Sequence, residues 1–167
     1  SAASDVYKRQ LILLTIVVGF LQLIPQAILG FAIKIKKGED KMELVQLHID
    51  IAKVLIECAK DKQVISYSEL CNRTGYGSPE NMGKVLDPLT KFTYKNDDGI
   101  FISVLVVRKE TLNSNLAKPG EKFFEMYRDF TNDFKISDND IVLSQREKVY
   151  SHDWSNLTDL IKKEINK

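Results

Sequence analysis

The sequence predicts an α+β fold, mainly helical, and three observations carry that expectation. Apolar residues recur at spacings of three and four through most of the chain after residue 42. Ser-x-x-acid motifs and glycines punctuate those stretches as helix starts and stops. One run, Ile100 to Val107, reads as a strand of appreciable length. With 44% hydrophobic and 28% charged residues, and only eight Gly and four Pro in 167, the composition is globular and excludes a disordered or fibrous chain.

Residues 1–41 stand apart. Leu11 to Ile33 is a 23-residue stretch without a charge, long enough to cross a bilayer as a helix. Lys8 and Arg9 flank one end; Lys34, Lys36, Lys37 and Lys41 flank the other and would keep the C-terminal part cytoplasmic, on an inner-membrane single-pass anchor. The absence of a small-x-small cleavage site argues against a signal peptide. A second reading is that the segment is translated upstream DNA. Residues 1–10, SAASDVYKRQ, resemble a peptide read from sequencing-adaptor DNA at the ends of metagenomic reading frames. Lys37-Gly38-Glu39 can be encoded with a bacterial ribosome-binding sequence, placed at an ordinary spacing before the Met42 codon. Both signs favour a start at Met42 and a cytoplasmic protein of bacterial or phage type. Residues 1–41 hold six basic and three acidic side chains, which leaves 18 basic and 20 acidic beyond them, a net of −2.

The elements follow in order. Met42 to Lys60 carries Leu44, Leu47, Ile51, Val54, Leu55 and Cys58 on one helical stripe, with His48 at its edge and expected to be partly exposed. Gln63-Val64-Ile65 is a short extended piece. Ser66 to Glu69 fits a capping box that opens a helix over Tyr67 to Thr74, stopped by Gly75. Ser78 is a suitable N-cap with Pro79 at the first helical position, and the helix so begun is expected to break near Asp87 because of Pro88 and to end near Phe92. Asn96 to Gly99 signals a turn. Ile100 to Val107 is apolar on both alternating faces, the pattern of a strand covered on both sides. Glu121 to Phe134 places Phe123, Phe124, Tyr127, Phe130 and Phe134 at helical spacing, which reads as core. Ser137 starts a helix over Ile141 to Tyr150. Asp153 or Ser155 caps a last one bearing Leu157, Leu160, Ile161 and Ile165.

Helix, short strand, two short helices around a glycine turn, then a hairpin is the order of a winged helix-turn-helix. The expected division is a winged-helix-like domain over 42–134 and a C-terminal helical extension over 135–167. The helix from Ser78 would enter a DNA major groove, and a wing over about Phe92 to Val107 would touch the flank. Asn81 could read adenine edges and Lys84 could reach phosphate or guanine, with Lys91 a further exposed group on the same helix. Arg73 and Lys95 would add backbone contacts. Glu80 and Asp87 oppose this field.

The stretch Ile65 to Val107 resembles the DNA-binding domain of the O6-alkylguanine alkyltransferase and alkyltransferase-like family. The likeness rests on Ile65-Ser66-Tyr67-Ser68-Glu69-Leu70, Thr74-Gly75, Asn81-Met82-Gly83 and Ser103 to Val107. It implies a winged-helix scaffold that binds DNA. The family's reactive cysteine falls on Ser103, with Val104 and Leu105 where its His and Arg stand, and its base-flipping arginine falls near Glu80. Alkyl transfer is therefore excluded.

No phosphate-binding glycine loop, HExxH, CxxC or G-x-S-x-G occurs, and no cofactor or metal is expected. Arg108, Lys109 and Lys118-Pro119-Gly120 form the one further cationic cluster, more simply read as a solvated loop. Cys58 and Cys71 lie on apolar helix faces, as inert thiols do. The expected function is that of a small non-catalytic DNA-binding protein. The alternative is a protein-interaction module or homodimer on the same scaffold, membrane-anchored if 11–33 is translated.

Overall fold

Residues 43–167 are described by a computed structural model; the candidate membrane segment 11–33 and the proposed start at Met42 lie outside them. Helix α1 (Gln46–Lys60) buries Ile51, Val54, Leu55 and Cys58 of the predicted stripe, with Ala52 beside them. It closes at Asp61, and Lys62 takes a positive φ of 53° to turn the chain. Strand β1 (Ile65–Ser66) leads into α2 (Tyr67–Thr74), where the Ser66 hydroxyl accepts the Glu69 N–H at 3.1 Å, as the capping motif requires. Gly75, at φ 72°, ends α2 in the left-handed region.

Helix α3 (Pro79–Asn96) departs from expectation by running unbroken through Pro88 to Asn96. Burial of Met82, Leu86, Leu89 and Thr93 on both sides of the proline outweighs a penalty of about 3 kcal/mol for an interior proline. The residues expected to begin a wing, Phe92 to Asn96, are thus helical. The predicted strand also contracts. Ile102–Leu105 forms a single 3-10 turn, and only Val106–Val107 is extended, as β2. β2 pairs parallel with β1, Ile65 opposite Val106 and Ser66 opposite Val107. Among the described residues there is no antiparallel hairpin and hence no wing. Every residue from Ile100 to Val107 is buried, and a run enclosed on all sides loses the alternation that separates strand from tight turn.

That segment is the centre of the core. Phe101 packs its ring 4.9 Å from Tyr94, 5.1 Å from Tyr127 and 6.0 Å from Phe123. Phe123 and Tyr127 come from α4 (Glu121–Thr131). Asn132, in the left-handed region, ends α4 before the predicted limit, and Phe134 is left 66% exposed. Helix α5 (Asp138–Ser151) opens at Ser137, whose hydroxyl accepts the Asp140 N–H. It sends Gln145 inward, where Oε1 accepts the Phe101 N–H at 2.9 Å. Helix α6 (Leu157–Ile165) has Asn156 at its start in place of Asp153 or Ser155, and it packs on α1 through the buried Leu157 and Ile161. Residues on both sides of position 134 therefore share one apolar core.

Candidate functional site

At 3.6 residues per turn, Lys84, Lys91 and Lys95 fall within about 40° of one another around α3, and Asn81 lies about 40° beyond Lys95. Asn81, Lys84 and Lys95 are exposed and Lys91 is half-buried. The face opposite carries Met82, Leu86, Leu89 and Thr93 into the core, so the amphipathic split of the helix aims the lysines outward. Ser78 occupies the N-cap position, but its hydroxyl accepts from the Asn81 side-chain amide at 2.9 Å instead of capping a helix N–H. Asn81 is thereby oriented by the residue that begins the helix.

Two acidic groups border this stripe. Glu80 is exposed. Asp87 is half-buried, and burial raises its carboxyl above the usual range, while Lys91 and Lys122 nearby pull it back down. Part of the field of Lys91 is thus spent on Asp87. Arg73, the remaining expected contact, forms an ion pair with Glu57 of α1, so its charge is already matched. Of the six expected residues, Asn81, Lys84, Lys91 and Lys95 share one helix with Ser78 at its N-cap, and Arg73 is tied elsewhere.

Ser103 sits in the 3-10 turn and is 4% exposed. Thr90 Oγ1 bridges its hydroxyl at 2.7 Å and the Leu86 carbonyl oxygen at 2.8 Å. Beside them a cleft of about 30 Å³ is bordered by Tyr67, Asp87, Gly120 and Lys122, room for one water. Neither described histidine is hydrogen-bonded to Ser103: His48 is bonded to Val45 and Val85, and His152 to Asp97. A serine nucleophile needs an adjacent base; the partner of the Ser103 hydroxyl here is Thr90. Cys58 and Cys71 are buried, and burial raises both thiols, which keeps them protonated.

The loop after β2 is closed on itself. The Arg108 N–H donates to the Lys118 carbonyl at 2.9 Å, and the Lys118 N–H donates to Thr111 Oγ1 at 2.9 Å. Glu110 lies 3.8 Å from the Arg108 Nε. The Tyr67 hydroxyl accepts the Gly120 N–H at 3.1 Å and fixes the start of α4 against α2.

His48 corrects the expectation of partial exposure. It is 4% exposed, its Nδ1 accepts the Val45 N–H at 2.9 Å, and its Nε2 meets the Val85 carbonyl at 2.9 Å. An acceptor at one nitrogen and a carbonyl at the other fix the neutral ring with its proton on Nε2. The ring thereby ties the first turn of α1 to α3. Its place at the edge of the α1 stripe was the only signal in the sequence.

Among the described residues no group of three or more His, Cys, Asp or Glu is placed to hold a metal ion, and no helix is long and apolar enough to cross a membrane. No protein-family model, curated protein or solved structure matches the chain.

Proposed function

We propose that residues 43–167 form a non-catalytic DNA-binding module that lays α3 against duplex DNA. The observation that carries this reading is the outward alignment of Asn81, Lys84, Lys91 and Lys95 on one 18-residue helix. Helix α2 packs against it across the turn from Gly75 to Ser78. Lysines at this spacing reach successive phosphates, and the asparagine amide can pair with an adenine edge. With no wing and with Arg73 engaged, the contact is confined to α3, so affinity is modest and strongly salt-dependent.

The test is fluorescence anisotropy of a labelled duplex over a salt series. Binding is expected at low ionic strength, on the order of 20 mM, and is expected to fall as salt rises. The triple variant Lys84→Ala, Lys91→Ala, Lys95→Ala is expected to reduce the slope of log K against log salt by about 2 to 3, the share of three phosphate contacts. Absence of salt-dependent binding in the parent protein overturns the reading.

A second reading, a protein-interaction module or homodimer, is favoured by the exposure of Phe134, Leu143, Leu160 and Ile165 in the C-terminal third. A concentration-dependent mass in light scattering, without DNA binding, would favour it over the first.

A further inference from the structure

Helix α5 is apolar on two sides. Ile141, Val142 and Val149 enter the core, yet Leu143 is 57% exposed and Tyr150 is half-buried on another face. Leu143, Arg146 and Tyr150 follow at spacings of three and four, so they share one stripe. Leu116 from the loop after β2 and Lys62 from the turn after α1 join this stripe, and together they line a groove of about 630 Å³. That volume lies in the range of small-ligand sites, roughly 300–1,000 Å³. It shares no residue with the α3 face.

Arg146 sets the chemistry of this groove. Its Nη2 donates to the Ala117 carbonyl at 2.6 Å, while its Nε is sealed from solvent without an acceptor. No carboxylate of the described residues forms an ion pair with it. Glu147 also lines the groove, but it follows Arg146 directly on the helix and forms no ion pair with it. Burial pulls the arginine's pKa down, the mark of a cation held without a counter-charge. Lys62 adds a second cation against one acid, Glu147, and the remaining walls are Leu116, Leu143, Tyr150 and Ser151.

We propose that the groove along α5 binds a small amphipathic carboxylate, its acid on Arg146 and its apolar body between Leu116, Leu143 and Tyr150. A guanidinium takes a carboxylate through two parallel N–H bonds, and Arg146 is already half desolvated, so part of the cost of removing its water has been met on folding. The apolar walls disfavour a simple inorganic anion, and two cations against one acid disfavour an amine.

The probe is octanoate, with octanol and octylamine as comparators, followed by chemical-shift changes in the 15N-labelled full chain. Octanoate is expected to give saturable shifts confined to residues around Leu116, Leu143, Arg146 and Tyr150, with octanol at least about tenfold weaker and octylamine without effect. Arg146→Met keeps the apolar stem and removes the charge, and is expected to bind octanoate no better than octanol. Should that variant fail to fold, Leu143→Glu lies at an exposed position and supplies a competing carboxylate; it is expected to weaken octanoate by about tenfold or more. Octanol binding as tightly as octanoate, shifts centred elsewhere, unsaturable shifts, or full octanoate affinity in Leu143→Glu would each overturn the proposal.

Discussion

His48 is held in the neutral state by two backbone partners, and protonation at Nδ1 would turn an acceptor into a donor facing the Val45 N–H. Burial lowers its pKa below the ordinary value of 6.5. The unfolded chain therefore takes up a proton first as pH falls. The stability His48 contributes is complete above about pH 6.5 and drains away below it. Urea unfolding at pH 7.5 and pH 5.5 is expected to show this loss, and His48→Gln, uncharged throughout, is expected to flatten it. The unfolding midpoint is the measurement, and an identical pH response in the variant would refute the assignment. Gln145 is a second side chain whose importance only the fold reveals. A glutamine amid Ile141, Val142 and Val149 reads as an interruption of an apolar face, yet it supplies the acceptor for a buried backbone N–H at Phe101.

Among the elements, those closed by local chemistry were legible. Ser66 with Glu69, Ser137 with Asp140, Gly75 after α2 and the aromatic stripe of α4 all act within a few residues, so their signals are written next to one another. The Ile100–Val107 segment was not legible as a 3-10 turn, because its shape depends on β1, 41 residues before its partner, and on Gln145, 44 residues after Phe101. Pro88 misled for the same reason: propensity is local, while the burial that overrides it comes from the whole core. Two glycines give an element-level test. Gly75 has φ 72° and open space where a Cβ would go, so Gly75→Ala is expected to cost about 1 kcal/mol through backbone strain alone. Gly83 lies inside α3, also with open space, so Gly83→Ala is expected to stabilise by about 0.5–1 kcal/mol. Thermal denaturation of the two variants should move in opposite directions.

For residues 43–167 taken together, the notable feature is that the last helix rests on the first. Trp154, Leu157 and Ile161 are buried, and the Trp154 Nε1 donates to the Val149 carbonyl at 2.8 Å. His152 Nε2 lies 3.2 Å from Asp97 Oδ1, joining the end of α5 to the end of α3. Removal of residues 152–167 uncovers one side of α1 and parts that junction, so the truncated chain is expected to lose its cooperative thermal transition by circular dichroism. A transition of unchanged sharpness and midpoint would show that α6 is dispensable. The outward position of Asn81 and Lys84 needs only the helix's period, whereas the place of Lys95 on α3 and the absence of a wing turn on contacts far along the chain.

The bond from Gln145 to the Phe101 amide has a consequence for synthesis. When the ribosome has delivered the segment from Ile100 to Val107, the side chain that satisfies the Phe101 amide is still on the unread message, 44 residues beyond Phe101. Until α5 leaves the exit tunnel, a greasy stretch with an unmet amide waits in the open, and chaperones that hold nascent chains have there a natural point of engagement.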